Sequence, residues 1–304
     1  MTRHRPLRQG LLFISPFLLG FAVFTIYPVL ASLYYSFCDY NAIEPPRFNG
    51  GAHYAELWRD ALYLKALWNT AFYTIFAVPL TMLTALVLAL LLNLNLRGQA
   101  LYRTIFFLPS ILPLVASSVL WLWLLNPDYG LVNMVLGPIL DLVNQVGGTE
   151  LKPPPWLTDR HYTKPALILM SMWGVGGTML LYVAGLRDIP VQLYEAAELD
   201  GAGAWARTRF VTLPMLSPVL FFTMIIGVIG AFQYFAQAYV ITPGGQPGDS
   251  TLFYALYLFF NAFGYLRMGY ASAQAWILFL VIMLVTLLMF RSARRYVHYG
   301  FEEQ

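Results

Sequence analysis

Charged residues are scarce in this sequence. Of 304 residues, 11% are Asp, Glu, Lys or Arg, whereas 59% are hydrophobic and the mean hydropathy is +0.62. A soluble domain carries about 25% charged residues, so this chain cannot surround a single core with a hydrated surface. The net charge of only +3 and the high apolar content exclude a nucleic-acid-binding domain, a disordered chain and a disulfide scaffold.

Cysteine and histidine are equally rare. Cys38, the single cysteine, cannot form a disulfide within the chain, and the four dispersed histidines predict no metal site. No nucleophile–base arrangement is evident, and no lysine follows a glycine, which excludes an ATP-binding P-loop. These absences argue against a membrane enzyme and against a chain that hydrolyses ATP itself.

Six long stretches without Asp, Glu, Lys or Arg are each sufficient to cross a membrane, since a helical span needs about 20 apolar residues. They are residues 11–37, 66–96, 104–125, 165–186, 210–241 and 268–290. Backbone groups in lipid must bond within their own segment, which favours helices over open strands. We therefore predict an all-α integral membrane protein of about six spans, with a cytoplasmic N-terminus (1–10), a membrane domain (11–291) and a cytoplasmic C-terminal tail (292–304).

The distribution of Lys and Arg predicts the orientation of the spans. With six spans, 11 of the 18 basic residues lie on one side, and the rest are spread over longer loops. Basic residues near span ends favour the cytoplasm, so both termini are predicted to be cytoplasmic and the first span to be an uncleaved signal anchor.

Residues 250–266 are a doubtful seventh candidate. The segment is uncharged and rich in aromatic residues, but it is only 17 residues long. A seventh span would place Arg291, Arg294 and Arg295 outside, against the distribution of the other basic residues. Aromatic rings suit the membrane–water interface, so we predict a short helix on the outer surface.

None of the six stretches contains a charge, whereas proton relays and voltage sensors need ionisable groups within the membrane. A self-sufficient secondary transporter or channel for a neutral polar solute remains an alternative. Such a protein would show internal repeats and ion ligands near the midplane, and neither is evident in this sequence.

One face of the fifth stretch carries small and polar residues. Thr223, Gly227, Gly230, Tyr234 and Gln237 are spaced by four, three, four and three residues, which is the period of one helix face. Such faces are common where membrane helices pack together, but amides and phenols also suit the hydroxyl groups of a sugar or polyol. Further candidates for a neutral substrate pathway are Ser117, Trp121, Trp173, Gln233 and Gln274.

Residues 187–214 form the longest internal cytoplasmic loop of this topology. Pro190 is well placed to begin a short helix and Gly201 to end it. Two adjacent alanines at the centre would let another surface approach that helix closely. A second short segment, 204–210, leads into the fifth span. A solvated helical loop is the simpler interpretation of the same pattern.

This loop resembles the EAA motif, E-A-A-x₃-G-x₉-I-x-L-P, of ABC importer permeases. Glu195-Ala196-Ala197 and Gly201 match its first part and Leu213-Pro214 its end, with valine instead of the usual isoleucine at position 211. The fuller form, through residue 218, is similar to the carbohydrate-uptake branch that includes the maltose and glycerol-3-phosphate permeases. Weaker similarities follow the family's order at residues 96–109, 126–133, 242–247 and 291–298.

The resemblance implies a non-catalytic permease with the fold of a type I ABC importer, in the cytoplasmic membrane of a bacterium or archaeon. It implies a second permease subunit, two cytoplasmic ATPase subunits that carry ATP and Mg²⁺, and an extracytoplasmic sugar-binding protein, with no cofactor bound by this chain. In the family, the motif is the coupling helix that docks into a groove of the ATPase. Matched by position, that role falls on Tyr194, Glu195, Ala196, Ala197, Asp200 and Gly201.

Overall fold

The computed structural model describes residues 5–94 and 97–296, and this part of the chain is largely helical. Two compact units are distinguished. The smaller unit comprises residues 1–63 and 257–280, and the larger unit comprises residues 64–256 and 281–304. Long apolar segments in lipid satisfy their backbone groups within helices, and the predicted all-α membrane fold is confirmed.

Within the described residues the α-helices are, in chain order, α1 (Arg5–Phe21), α2 (Tyr27–Tyr35), α3 (Ala52–Leu57), α4 (Ala61–Asn93), α5 (Gln99–Ile111), α6 (Leu114–Leu124), α7 (Leu131–Gly147), α8 (Arg160–Ser171), α9 (Gly176–Arg187), α10 (Val191–Leu199), α11 (Ala204–Arg207), α12 (Leu213–Phe232), α13 (Ala236–Ile241), α14 (Tyr254–Phe259) and α15 (Met268–Tyr296). Single π-helical turns occupy Ala22–Ile26, Thr208–Thr212 and Phe260–Gly264, and a 3₁₀ turn spans Pro243–Gly245. The strands β1 (Cys38–Asp39) and β2 (Arg47–Phe48) pair antiparallel.

Four helical stretches are long and apolar enough to cross a membrane. They are Gly10–Tyr35, Ala61–Asn93, Ala204–Ile241 and Met268–Ala293. Two helix pairs qualify as broken spans, α5 with α6 bent by 99° and α8 with α9 bent by 45°. The first break falls at Pro113, which has no N–H to donate and precedes α6 with a ψ of 137°. Counting each pair as one span gives six, in agreement with the prediction.

Several helices begin before the charge-free stretches that predict them. α4 begins at Ala61 and α8 at Arg160, so Lys65 and Lys164 lie inside helices. Asp159 caps α8 by accepting a hydrogen bond from the backbone N–H of His161 at 2.7 Å, which explains where this helix begins. A charge-free stretch therefore marks the apolar middle of a helix and not its ends.

The search for long charge-free stretches also misses α7, a helix of 17 residues that follows α6. One of its faces is apolar and remains exposed, with Val135 66% and Val146 85% exposed. Asp141 interrupts the apolar run, and the helix is short for a span.

Residues 250–266, which the sequence predicts to be a short helix on the outer surface, are partly helical and partly buried. α14 and the following π-helical turn lie in this segment, but Phe253, Tyr254 and Leu256 are almost completely buried. The N–H of Tyr254 donates to Thr70 Oγ1 at 2.8 Å. Aromatic side chains bury large areas when they cluster, and the rings of Phe253 and Tyr254 pack within the protein, whereas Phe263 and Tyr265 are 61% and 63% exposed.

Asp60 links three segments of the smaller unit through hydrogen bonds. Its carboxylate accepts hydrogen bonds from the hydroxyls of Tyr257 and Tyr270, both at 2.6 Å, and from the backbone N–H groups of Leu62 and Tyr63 at the start of α4. Partial burial acts to raise the pKa of Asp60, but the four hydrogen bonds outweigh it, and the pKa is lowered. Asp60 is therefore ionised at neutral pH and ties both tyrosines to the first turn of α4.

In the larger unit, an apolar core lies between α4, α9 and α12. Ala89, Met179 and Leu216 are fully buried there. A Cβ atom added to Gly185 would lie 2.8 Å from Leu216 Cδ1, so only a small residue allows this approach of α9 and α12. The same pair of helices is held by a hydrogen bond of 2.7 Å between the Tyr182 hydroxyl and Thr223 Oγ1.

Candidate functional site

A cavity of about 340 Å³ lies in the larger unit, where α4, α12 and α13 meet the two broken helix pairs. Six of the predicted pathway residues line this cavity: Ser117, Trp173, Gly227, Gly230, Tyr234 and Gln237. Polar residues that the sequence analysis did not identify contribute to the same wall: Tyr73, Thr81, Ser110 and Ser171. The described lining is apolar or polar and neutral, so the cavity offers hydroxyl, amide and aromatic groups without charge.

A break in the fifth span gives the cavity one of its walls. α12 ends at Phe232 and α13 begins at Ala236, and the residues between them leave helical geometry. Tyr234 and Gln237 lie on either side of Phe235, whose φ of −135° and ψ of −65° redirect the chain. The predicted stripe is therefore not one continuous helix face.

Tyr234 belongs to an aromatic cluster. Its ring lies 4.4 Å from that of Tyr73 and 5.0 Å from that of Phe253, measured between centroids. Only 7% of Tyr234 is exposed. Aromatic pairs at these distances stabilise packing beyond their buried area, so the cluster supports the part of the wall that Tyr73 and Tyr234 form.

The two predicted tryptophans form a pair, although only Trp173 lines the cavity. Trp121 meets Trp173 edge to face with centroids 5.8 Å apart. Trp121 thus lies behind Trp173 and restricts the orientations that the lining ring can adopt.

Three other predicted pathway residues do not line this cavity. Thr223 is buried and forms a hydrogen bond with the Tyr182 hydroxyl. It therefore packs two helices together, which is one of the two roles that the sequence predicts for this face. Gln233 is exposed at the end of α12. Gln274 is completely buried in the part of α15 that belongs to the smaller unit.

The predicted cytoplasmic helix is present as α10, with Pro190 immediately before it. Its C-terminus has the hydrogen bonds of a Schellman motif. The N–H of Ala202 donates to Ala197 O at 2.9 Å, and the N–H of Gly201 donates to Glu198 O at 3.0 Å. Gly201 has a φ of +77°, which favours glycine. The bounds that the sequence predicts for this helix agree with the structure.

One side of α10 faces its own chain. The Tyr194 hydroxyl lies 3.0 Å from Thr212 Oγ1, and Arg207 donates to Glu198 Oε2 at 3.3 Å. Ala197 is half-buried on this side.

The opposite side of α10 is open. Glu195, Ala196 and Leu199 lie there, since helical residues three and four positions apart share a face. Leu199 is 91% exposed, and sequence analysis did not single it out. This exposed leucine shares its side of the helix with Glu195 and Ala196, two residues of the predicted coupling motif. Asp200 and Gly201, which follow the helix, are exposed as well.

The second loop segment, 204–210, leads into the fifth span as the sequence predicts. α11, the π-helical turn Thr208–Thr212 and α12 follow one another without a gap, and together they belong to the stretch Ala204–Ile241. Pro214 lies in the first turn of α12, where a missing N–H costs little. The loop is therefore continuous with a cavity-lining helix.

Residues 77–298 match a protein family described as the binding-protein-dependent transport system inner membrane component. The chain belongs to this family. The match includes α10 and most of the helices around the cavity. The chain is thus the inner-membrane permease component of a binding-protein-dependent importer, and the alternative of a self-sufficient secondary transporter or channel is not supported.

Individual proteins resemble this permease over nearly its whole length. The probable ABC transporter permease protein YesP of Bacillus subtilis (strain 168) is 39% identical, with 100% of this chain and 97% of that protein covered. The lactose transport system permease protein LacF of Rhizobium radiobacter is 36% identical, with 94% of each covered.

A solved structure shows the same fold. It is the crystal structure of a bacterial alginate ABC transporter in complex with an alginate pentasaccharide-bound periplasmic protein. One of its chains matches this permease with a TM-score of 0.79 at 19% identity, covering 99% of this chain and 100% of that chain.

Proposed function

We propose that this permease forms half of the pathway for a sugar or polyol and that a second permease subunit forms the other half. The observation that carries the proposal is the cavity wall, which combines Tyr234, Trp173 and Gln237 with serine and threonine hydroxyls. Neutral hydroxyls and amides both donate to and accept from the hydroxyl groups of a saccharide, and aromatic faces stack on its C–H surfaces. The relative LacF is named for lactose transport, which supports the same class of substrate.

Two cytoplasmic ATPase subunits, which bind ATP and Mg²⁺, and an extracytoplasmic sugar-binding protein complete the proposed transporter. In this proposal ATP hydrolysis is carried out by the ATPase subunits and not by the permease. ATP binding closes the ATPase pair, and α10 transmits the movement to α12 through the Tyr194–Thr212 contact and the continuous helix from α11. The spans then alternate between inward-open and outward-open states, each favoured by a different ligand.

In the proposed orientation, both termini and α10 face the cytoplasm, while α7 lies outside. In a Cys38→Ser background, Gly203→Cys should react with a membrane-impermeant maleimide only from the cytoplasm, and Gln145→Cys only from the outside. Both positions are exposed, whereas Cys38 is completely buried. Labelling of right-side-out and inverted vesicles measures the difference. Exchange of the two patterns would overturn the orientation.

Gln237 provides the sharpest test of the pathway. Gln237→Ala should lower sugar uptake by about 10-fold, because a hydrogen bond in the cavity is worth about 1.5 kcal/mol at most for a neutral pair. Uptake is measured in proteoliposomes that contain the complete transporter and its loaded binding protein. Basal ATP hydrolysis should be unchanged.

Gln233→Ala is the matched control. It removes the same amide four residues away, but Gln233 is exposed and does not line the cavity. Uptake by this variant should equal that of the unaltered permease. Equal losses in both variants would show that the amides support packing and not the pathway. No uptake of any sugar or polyol by the unaltered transporter would refute the proposed substrate class.

A further inference from the structure

The helix α7 turns two asparagines towards the protein and an apolar face away from it. Asn133 is buried, and the side chain of Asn144 both donates to and accepts from the backbone of Leu151. On the opposite side, four apolar residues are spaced by four, four and three positions, which is the period of one helix face, and each is between 45% and 66% exposed: Leu131, Val135, Ile139 and Leu142. These four residues form the apolar face of α7. A helix on the surface of a soluble protein turns such a face towards the core.

A tight corner holds the start of α7 beside the end of α6. Only residues 125–130 separate the two helices. The side-chain oxygen of Asn126 accepts from the N–H groups of Asp128 at 2.9 Å and Tyr129 at 3.2 Å, and its carbonyl oxygen accepts from the N–H of Gly130 at 3.0 Å. A Cβ atom at Gly130 would lie 2.5 Å from the carbonyl oxygen of the last residue of α6. α7 therefore begins at the depth where α6 ends.

Asn133 connects α7 to the chain on both sides of it. Its amide N–H₂ donates to the carbonyl oxygens of Pro127 at 3.1 Å and Pro154 at 3.3 Å, and its Oδ1 accepts from the indole N–H of Trp156 at 2.7 Å. The Trp156 ring also contacts Tyr162 in the first turn of α8, with centroids 6.4 Å apart. The helix pairs on either side, α5 with α6 and α8 with α9, are both long and apolar enough to cross a membrane. The N-terminal half of α7 is therefore held at the membrane surface.

An apolar groove of about 530 Å³ adjoins the apolar face. Five residues of α7 and Trp156 line it, and none of these is charged. The hydrogen bond to Asn133 orients the Trp156 ring and engages its one polar atom. A water molecule needs two to four polar partners in such a space, whereas an acyl chain needs none. The groove therefore suits a hydrocarbon chain better than water or a sugar.

We propose that α7 is an interfacial helix that rests on the bilayer surface, with lipid acyl chains against its apolar face and in the adjoining groove. An amphipathic helix at this depth gains stability by burying its apolar face just below the lipid headgroups. Exposed aromatic rings mark the headgroup level, and both Trp123 at the end of α6 and Tyr129 in the corner are exposed. α7 contains no Lys or Arg, so apolar burial and not attraction to anionic headgroups provides the affinity.

Nitroxide labels on single cysteines test this contact in the complete transporter, reconstituted in nanodiscs of phosphatidylethanolamine and phosphatidylglycerol. In the Cys38→Ser background, Val135→Cys and Ile139→Cys place the label on the apolar face. Asp141→Cys is the matched control, because it is also exposed and lies about 200° round the same helix from Ile139. Electron paramagnetic resonance compares collisions of the label with molecular oxygen, which concentrates among acyl chains, and with a water-soluble nickel chelate. Size-exclusion chromatography confirms that each labelled transporter is assembled.

We expect oxygen to relax the labels at Val135 and Ile139 more strongly than the nickel chelate does. The order should be reversed at Asp141. Addition of the extracytoplasmic binding protein should leave all three results unchanged, because lipid already covers the apolar face.

Three results would overturn the proposal. Frequent collisions with the nickel chelate at all three positions would show that the apolar face lies in water. Collisions with the chelate at Val135 and Ile139 that cease when the binding protein is added would show that this face docks that protein. Few collisions with either reagent at these two positions would show that another subunit covers the face. The proposed sugar pathway stands in each case, since α7 does not line the cavity.

Discussion

Replacing Leu199 with aspartate is expected to abolish substrate-stimulated ATP hydrolysis by the assembled transporter. Leu199 is 91% exposed on the open side of α10, where the proposed ATPase groove would cover it. Burying a leucine contributes about 1.5–3 kcal/mol, and an unpaired carboxylate in the same place costs several kcal/mol more. Together these terms correspond to an affinity loss of about 1,000-fold or more. Copurification of the ATPase and the rate of ATP hydrolysis measure the effect.

Val146→Asp is the matched control for Leu199→Asp. It is also a change from an exposed apolar residue to aspartate, since Val146 is 85% exposed, but it lies on α7, outside the membrane in the proposed orientation. ATPase copurification should be normal in this variant. Ala196→Asp, on the same side of α10 as Leu199, should reproduce the defect. Normal ATP hydrolysis by Leu199→Asp would place the ATPase contact elsewhere.

Replacing Gly176 with alanine is expected to destabilise the larger unit severely. A Cβ atom at this position would lie 2.7 Å from both the carbonyl oxygen of Phe106 and the Cα of Phe107. These are backbone atoms of α5, so relief requires the movement of a whole helix. Overpacking costs about 1–3 kcal/mol when side chains can adjust, and more when the backbone must move. We expect a large fall in the apparent melting temperature and a loss of transport.

Gly177→Ala separates this steric effect from the general effect of adding a methyl group. Nothing lies within 4 Å of a Cβ atom at Gly177 among the described residues. Alanine is favoured over glycine in a helix by up to about 1 kcal/mol. The Gly177→Ala variant should therefore be at least as stable as the unaltered permease. Fluorescence-detected size-exclusion chromatography after heating compares the two variants. Equal melting temperatures would contradict the close contact between α5 and α9.

The sequence predicts α10 well because local chemistry determines both of its ends. Pro190 cannot extend a helix backwards, and Gly201 adopts the positive φ that closes the Schellman motif. The outward face could not be predicted in the same way. Two adjacent alanines look equivalent in the sequence, but the Tyr194–Thr212 contact turns Ala197 towards its own chain and leaves Leu199 exposed.

The cavity was only partly predictable, for two physical reasons. Helical periodicity placed Gly227 and Gly230 on one wall, but the break after Phe232 ends that periodicity before Tyr234 and Gln237, which line the cavity, and Gln233, which does not. The opposite walls come from α4 and α8, which are far away in the sequence. Nothing in a single sequence indicates that Tyr73 and Ser171 meet these residues.

The same limit explains why the sequence did not predict the burial within residues 250–266 or the position of Lys164 inside a helix. An aromatic segment is equally suited to a lipid interface and to a protein interior, and only its neighbours decide between them. A search for charge-free stretches excludes by construction every lysine inside a membrane helix. Lys164 lies one residue before the fourth stretch, but it is inside a helix because α8 begins at Arg160.

The two broken helix pairs also give the pathway a main-chain framework that side-chain substitutions do not change. A helix that stops leaves backbone carbonyls in its last turn, and N–H groups in the first turn of the next helix, without partners inside the helix. The ends of α5 and α8 lie beside the cavity, where Ser110 and Ser171 line it. Irregular backbone at membrane depth is tolerated where it borders such a space. Both breaks are closed by bonds of the chain itself, since the N–H of Leu112 donates to Pro109 O at 3.3 Å and the N–H of Trp173 donates to Met170 O at 3.2 Å. Exchange of side chains can therefore change which solute is preferred, while these main-chain bonds keep the shape of the breaks beside the cavity.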